Sequence, residues 1–180
     1  VYEPLSAWLV LGLKPDNLIF QFSGEFSSRH LPSFRTQPEA FSYQDRRIGF
    51  IFHKGDMIHI DFGISYLDLQ TDTQQNAYIL KDDETTVPDY LVAALHKGNE
   101  LQDILTSNFQ VGRSGNEILR RTREQAVNVG IGPIIYTHPI GLHGHAAGTT
   151  IGMWDKQDGV PGSGDYKMNP NTAYSIELTA

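Results

Sequence analysis

Large apolar residues recur at every second position along 57–64, with His59 and Asp61 among the residues between them. This two-residue period is typical of a strand with one apolar and one polar face, and Asp61 stands on the polar face. A second extended run covers 73–80. We predict that the two runs pair as an antiparallel hairpin that turns near 66–67. Asp61 and Asp72 would then lie opposite each other, with their carboxylates on one face.

The period becomes helical further along the chain. Pro88 and Asp89 open a run whose leucines recur at helical spacing, which predicts a first helix. Ser114 and Glu117 stand in capping-box relation and predict the start of a second helix, which Gly130 ends. We interpret the arginines of this second helix as its solvated face rather than an anion site.

The last third of the chain alternates between extended and loop-like segments. Strands are predicted at 134–136, 149–153 and 173–178, and the glycine- and proline-containing segment 154–171 is predicted to be a long loop. Residues 1–52 are interpreted as a short helix followed by strands and loops. The order of elements predicts an α+β fold in which helices cover one face of a mainly antiparallel sheet.

Composition narrows the possible functions. The 180 residues are 39% hydrophobic and 19% charged, which suits one globular domain over residues 1–180. The longest apolar run is too short to span a bilayer. A net charge of −7 without clusters of basic residues argues against nucleic acid or an anionic membrane as the main partner. Without cysteine, metal ligands would have to be oxygen or imidazole donors, and the compartment stays open.

The candidate chemistry lies in acids and histidines beside the predicted strands. Two facing carboxylates such as Asp61 and Asp72 repel unless a metal or a proton lies between them. From this hairpin alone, ordinary turn chemistry is the slightly better explanation, because aspartate is common near turns. The balance changes downstream, where three histidines fall within eight residues and a glutamate lies in a strand-like run. These residues are His138, His143, His145 and Glu177. A metal site becomes the more economical explanation.

These motifs resemble those of the pita-bread metallopeptidases, which include methionine aminopeptidase, Xaa-Pro aminopeptidase and prolidase. The resemblance covers 54–180 and rests on Ile-Asp-Phe-Gly, an aspartate eleven residues later, His-x-x-Gly-Leu-x-x-His and a strand-borne Ile-Glu. It lies nearer to the Xaa-Pro aminopeptidase side. It implies the pita-bread fold, with a curved antiparallel sheet, and two divalent metal ions, whether manganese, cobalt, iron or zinc.

The resemblance also implies a role for each matched residue. The metal ligands would be Asp61, Asp72, His138 and Glu177. Glu177 would also help take a proton from the water that the two metals activate, and His145 would bind substrate and the developing oxyanion. His143 is either a second substrate-binding histidine or a plain loop residue. The expected activity is hydrolysis of an N-terminal peptide bond, with a peptide as substrate. Assembly into a homo-oligomer is compatible with the resemblance but is not predicted by it.

The sequence departs from the family pattern at several points. The family has a second glutamate ligand on a later strand, whereas this sequence ends three residues after Glu177. We therefore expect a fragment of a catalytic domain, incomplete at both ends and lacking C-terminal strands, and a poor catalyst as it stands. Asp72 is followed by Thr-Gln-Gln instead of Ile-Thr-Arg, and Tyr43 and Gln44 stand where the family has a histidine. Two alternatives stay open: a catalytically degenerate domain with a binding role, and a metal-free creatinase-like hydrolase of carbon–nitrogen bonds.

Overall fold

The computed structural model describes residues 53–62, 65–66, 69–141 and 144–180. The elements in chain order are β1 (Met57–Phe62), β2 (Ser65–Tyr66), β3 (Leu69–Gln70), β4 (Thr73–Tyr78), α1 (Asp89–Ser107), α2 (Gly115–Asn128), β5 (Ile134–Gly141), β6 (Gly144–His145) and β7 (Tyr174–Thr179). The chain divides into two compact units, Val1–Ile64 with Thr73–Pro88 and Ser65–Asp72 with Asp89–Ala180. The predictions for 1–52 lie outside the described residues, and a single catalytic domain stays a prediction.

The first unit contains the antiparallel pair β1 and β4, which confirms that these two runs form a ladder. Its register corrects one prediction, because Asp61 pairs with Gln74 and Asp72 precedes the first residue of β4. The midpoint of the pairing falls between residues 67 and 68, one residue later than predicted. A shift of one residue at the midpoint moves every cross-strand partner by two. Asp61 and Asp72 are therefore not directly opposed.

The second unit contains both helices where the sequence predicts them. Ser114 is the N-cap of α2, and its hydroxyl accepts the backbone N–H of Glu117 at 3.2 Å. Gly130 follows α2 with φ +79°, a left-handed conformation that glycine adopts without steric cost. The helix surface carries ion pairs between residues one turn apart, such as Arg120 with Glu124. Within the described residues, no helix is both long and apolar enough to cross a membrane.

The sheet of the second unit has the order β6, β5, β7, and all of its pairs are antiparallel. The short strands β2 and β3 form a separate antiparallel pair. The helices and this antiparallel sheet confirm the α+β class at this level.

The strand predicted at 149–153 is reduced to a single bridge between Thr137 and Ile151. Gly152 explains the interruption, because its φ of +69° takes the chain out of the extended conformation. A side chain at this position would place its Cβ 2.1 Å from the carbonyl oxygen of Ile135. The close approach therefore requires glycine, and the extended run ends there.

The segment 154–171 is a loop, as predicted, and the start of α2 holds it in place. Asn116 makes most of the connection: its Oδ1 accepts the N–H of Val160 at 2.7 Å, and its Nδ2 donates to Asp165 at 2.8 Å. Its own backbone N–H donates to the carbonyl of Gly164 at 2.8 Å. The loop thereby satisfies one of the backbone N–H groups that a helix leaves free at its first turn.

The two faces of the β5–β7 ladder have opposite character. One face packs against α1 and α2 and belongs to the apolar core, whose residues on these elements include Leu101, Leu105, Ile118, Leu119, Ala126, Ile135, Ile176 and Leu178. Because side chains alternate along a strand, the residues between them point to the other face. That other face carries Tyr136, His138, Ser175 and Glu177.

Candidate metal centre

Four side chains of the second unit converge on this polar face. Asp72, His138, His145 and Glu177 each offer one ligand atom, and these atoms all lie within 4.8 Å of one another. The strand register brings three of them together. His138 on β5 pairs with Ser175 on β7, so Glu177 is its diagonal neighbour on the same face. His145 pairs with Ile140 and is the diagonal neighbour of His138 on the β6 side.

His138 is the centre of the cluster. Its Nε2 lies 2.9 Å from Oε1 of Glu177 and 3.3 Å from Oδ2 of Asp72. Its Nδ1 lies 3.1 Å from the carbonyl oxygen of Pro139, which can only accept a hydrogen bond. Both ring nitrogens therefore face acceptors, and the geometry suits the doubly protonated imidazolium.

The charges in the cluster agree with this assignment. Burial lowers the pKa of His138, but hydrogen bonds with Asp72 and Glu177 outweigh it and raise the pKa to about 9. The hydrogen bond from His138 lowers the pKa of Asp72 below its usual value, burial opposes this, and a hydrogen bond with Ser175 lowers it further. Near neutral pH the protein therefore holds an imidazolium against carboxylates in a largely buried site.

The donor set fits a divalent cation. Asp72 and Glu177 both approach the same nitrogen, yet one N–H cannot fully satisfy two carboxylates. Both carboxylates are withdrawn from solvent, with side chains 18% and 8% exposed, so water compensates them poorly. Carboxylate and imidazole ligands suit manganese, iron, cobalt and zinc. A cation that displaced the Nε2 proton would supply the positive charge that the carboxylates lack.

His145 occupies a different position from the other three residues. Its ring stacks on that of His138 with centroids 3.7 Å apart and an interplanar angle of 22°. The nitrogen lone pairs lie in the ring planes, so in two nearly parallel rings they run side by side instead of converging on one ion. His145 is also exposed. The geometry places it beside the cluster rather than between the carboxylates.

Not every candidate residue can be placed. Asp61 lies on β1 in the first unit, and its side chain is outside the described part of the structure. His143 is outside the described residues altogether. Their roles stay predictions, as do the individual roles assigned to Asp72, His138, His145 and Glu177, which the structure brings together.

Two residues of the polar face were not predicted from the sequence. Ser175 hydrogen-bonds with Asp72, and the hydroxyl of Tyr136 lies 3.2 Å from Nδ1 of His145. Both could have been found from alternation along the strands. Tyr136 comes two residues before His138 and Ser175 two residues before Glu177, which places each pair on one face.

No protein-family model matches the sequence, and no curated protein sequence matches it. Solved structures do match. The X-Pro aminopeptidase from Thermotoga maritima MSB8 is 22% identical with a TM-score of 0.54, and the match covers 71% of this chain and 33% of that one. The Xaa-Pro dipeptidase from Bacillus anthracis is 21% identical with a TM-score of 0.52, over 72% of this chain and 33% of that one. A dipeptidase from Pyrococcus horikoshii OT3 is 19% identical with a TM-score of 0.55, over 82% and 38%.

These matches confirm the resemblance at the level of fold. The chain shares its fold with solved structures of Xaa-Pro aminopeptidases and dipeptidases, at identities that support a conclusion about fold alone. It spans about a third of the length of the structures it matches. The match therefore identifies the fold and does not by itself identify an activity.

Proposed function

We propose that this chain carries part of the active site of a metal-dependent peptidase that hydrolyses an N-terminal peptide bond, of the Xaa-Pro aminopeptidase type. The observation that carries the proposal is the convergence of Asp72, His138 and Glu177 on the polar face of the β5–β7 ladder. Two carboxylates that share one N–H in a largely buried site favour the binding of a cation, because burial disfavours ionised groups that are incompletely compensated. The fold shared with Xaa-Pro aminopeptidase structures supports the same conclusion.

The proposed cofactor is a pair of divalent ions, of which manganese, cobalt, iron and zinc are all compatible with the donors. Asp72, His138 and Glu177 would be ligands, with Asp61 as a fourth. His138 would ligate through Nε2 while its Nδ1–H donates to the carbonyl of Pro139, which fixes the orientation of the ring. When bound, such ions activate a water molecule for attack and polarise the scissile carbonyl.

The side chains around the ions would perform the remaining steps. Glu177 would accept the proton that the attacking water releases, since its carboxylate is one of the four converging ligand groups. His145 lies exposed beside the cluster, where its ring can donate a hydrogen bond to the carbonyl oxygen of the substrate as negative charge develops. Ser175, through its hydrogen bond with Asp72, would hold that carboxylate in place.

Metal binding and peptide hydrolysis test the proposal together. Isothermal titration calorimetry with Mn²⁺ or Co²⁺ should show saturable binding, and the binding should release protons because His138 must lose its Nε2 proton. Xaa-Pro and Met-Xaa peptides should then be cleaved in the presence of metal, slowly by the 180-residue chain, and not in the presence of a chelator.

Three results would contradict the proposal in different ways. Absence of saturable metal binding would overturn the metal site itself. Hydrolysis that survives chelation would favour the metal-free, creatinase-like chemistry. Metal binding without any hydrolysis of these peptides, also by a longer chain that supplies a further glutamate, would favour a domain with a binding role.

A further inference from the structure

Tyr136 has no part in the proposed chemistry, yet it lies in the middle of the site. It stands on β5 two residues before His138 and pairs across the ladder with Glu177. Its ring packs at a tilt against the ring of His138, with centroids 5.1 Å apart. Its hydroxyl oxygen lies 3.2 Å from Nδ1 of His145. A phenolic side chain thus touches both histidines of the cluster.

Two contacts together determine the orientation of His145. Stacking on His138 at 3.7 Å fixes the plane of the His145 ring but leaves open which edge of the ring points into the site. The contact from the hydroxyl of Tyr136 to Nδ1 selects one of the two ring orientations. A hydroxyl that donates to Nδ1 also leaves the proton of the neutral imidazole on Nε2.

Tyr136 is itself held from its other side. The ring of Trp154 meets it edge-on, with centroids 5.9 Å apart and an interplanar angle of 68°. Edge-to-face packing of this kind restricts the tilt of a half-buried ring. The tyrosine is therefore a fixed support for the histidine that stacks beside it.

We propose that Tyr136 is a positioning residue, whose hydroxyl holds His145 in the orientation and tautomer that present Nε2–H as a hydrogen-bond donor beside the carboxylate cluster. The part of this inference that concerns substrate rests on the proposed function, because the group that accepts this hydrogen bond would be the carbonyl oxygen of the peptide. The part that concerns the ring orientation and tautomer of His145 does not depend on it.

The test is Tyr136→Phe in the metal-free protein, which keeps the ring and removes only the hydroxyl. Long-range ¹H–¹⁵N correlation spectra distinguish an imidazole nitrogen that carries a proton from one that does not. In the unsubstituted chain, at a pH where the His145 ring is neutral, Nδ1 should show the unprotonated shift and Nε2 the protonated shift. In Tyr136→Phe the two shifts should move towards each other, because both tautomers become populated.

Tyr174→Phe is the matched control. Tyr174 lies on β7, on the opposite face of the same ladder, and its hydroxyl hydrogen-bonds with Thr149. Removing this hydroxyl deletes the same atom from the same sheet without touching His145. The ¹⁵N shifts of His145 should therefore not change. Equal changes in both variants would overturn the proposal, since they would indicate a general loosening of the sheet.

Kinetics provide the second measurement. With metal bound, Tyr136→Phe should lower kcat by roughly fivefold to tenfold, as expected for loss of one neutral hydrogen bond, and should leave metal affinity unchanged. Unaltered ¹⁵N shifts of His145 in this variant would refute the positioning role whatever the activity. Weaker metal binding would also refute it, because Tyr136 would then act through His138. Complete inactivity of the unsubstituted protein would count against the proposed function and leave the spectroscopic test intact.

Discussion

The two faces of the β5–β7 ladder are both buried, and they differ in what compensates the burial. On the helix side, Ile135 is fully buried and is satisfied by packing against other apolar side chains. On the opposite side, His138 is only 3% exposed and is satisfied by hydrogen bonds to two carboxylates and a carbonyl. On the helix side, Ile135 and its apolar neighbours need no polar partner. The polar side shares one nitrogen between two carboxylates, and this imbalance, rather than burial itself, makes it the candidate binding site.

This contrast predicts that stability and metal binding can be altered separately. The largest effect should follow Ile135→Ala on the helix side. Loss of a fully buried isoleucine should lower the free energy of unfolding by about 2–5 kcal/mol, because the packed core closes only partly around the cavity. Chemical denaturation of the metal-free chain measures it.

Ile134→Ala is the control for this change. Ile134 immediately precedes Ile135 on β5 and is 39% exposed. Its truncation should therefore change the free energy of unfolding by only about 0.5 kcal/mol or less. Below the unfolding transition, both variants should bind metal with unchanged stoichiometry. Similar destabilisation by the two substitutions would contradict the assignment of the core to one face.

Asp72→Asn on the polar side should give the reverse result. The amide keeps the size of the side chain but removes the negative charge, so we expect metal affinity to fall by about a hundredfold or more, beyond the 10–100-fold loss typical of an outer hydrogen-bond partner. Folding should survive, and hydrolysis should collapse. Calorimetry measures the affinity, and circular dichroism checks the fold.

Asp158→Asn is the matched control for Asp72→Asn. Asp158 is an exposed aspartate whose carboxylate pairs with Arg123 at 2.9 Å. The metal affinity and the activity of Asp158→Asn should match those of the unsubstituted chain. If Asp72→Asn also kept full metal content and turnover, Asp72 would be an ordinary residue at the start of a strand.

The two faces also differ in how far the sequence predicts them. The helices on one side of the ladder could be predicted from the sequence, because short-range signals determine their bounds. Ser114 and Glu117 mark the start of α2, and Gly130 marks its end. The register of β1 and β4 could not be predicted, because a shift of one residue at the turn changes the cross-strand partner of Asp61 from Asp72 to Gln74.

The polar side depends on pairing between distant segments. Its histidines and acids were identified from short motifs and a resemblance, whereas Tyr136 and Ser175 acquire a role only through the register that sets β5 beside β6 and β7. Nothing local distinguishes Ser175 from any serine near the end of a strand. Residues that support a site from a neighbouring strand are therefore the part of the site that sequence alone leaves out.

The protonation of His138 predicts opposite effects of pH on the stability of the metal-free chain and on its affinity for metal. Its pKa is raised in the folded chain from 6.5 to about 9, chiefly through Asp72 and Glu177 against the opposing effect of burial. The stability that this contributes is fully present below pH 6.5 and is lost as pH rises through about 9. Metal affinity should rise over the same interval, because the metal requires the deprotonated nitrogen.

Denaturation with a chelator present and metal titration, both at several pH values between 6.5 and 9, measure the two trends. The dependence of stability on pH should be weaker in Asp72→Asn, which removes one of the two carboxylates that raise the pKa of His138. Stability that stays constant across this interval in the unsubstituted chain would show that His138 is not held as an imidazolium.

The smallest effect should follow Ser175→Ala, which removes a partner of Asp72 without touching the proposed metal ligands themselves. Ser175 is buried, pairs with His138 across the ladder, and hydrogen-bonds with Asp72. Without that bond the carboxylate gains freedom that metal binding must remove again, so affinity should fall by roughly tenfold, at the lower end for such partners. The control is Ser107→Ala, because the hydroxyl of Ser107 donates to the carbonyl of Ile104 at the end of α1. This variant should bind metal with the affinity of the unsubstituted chain. Calorimetry on both variants decides the matter: equal affinities would mean that the polar face orients Asp72 without Ser175, and a loss as large as that of Asp72→Asn would mean that the serine is itself a ligand.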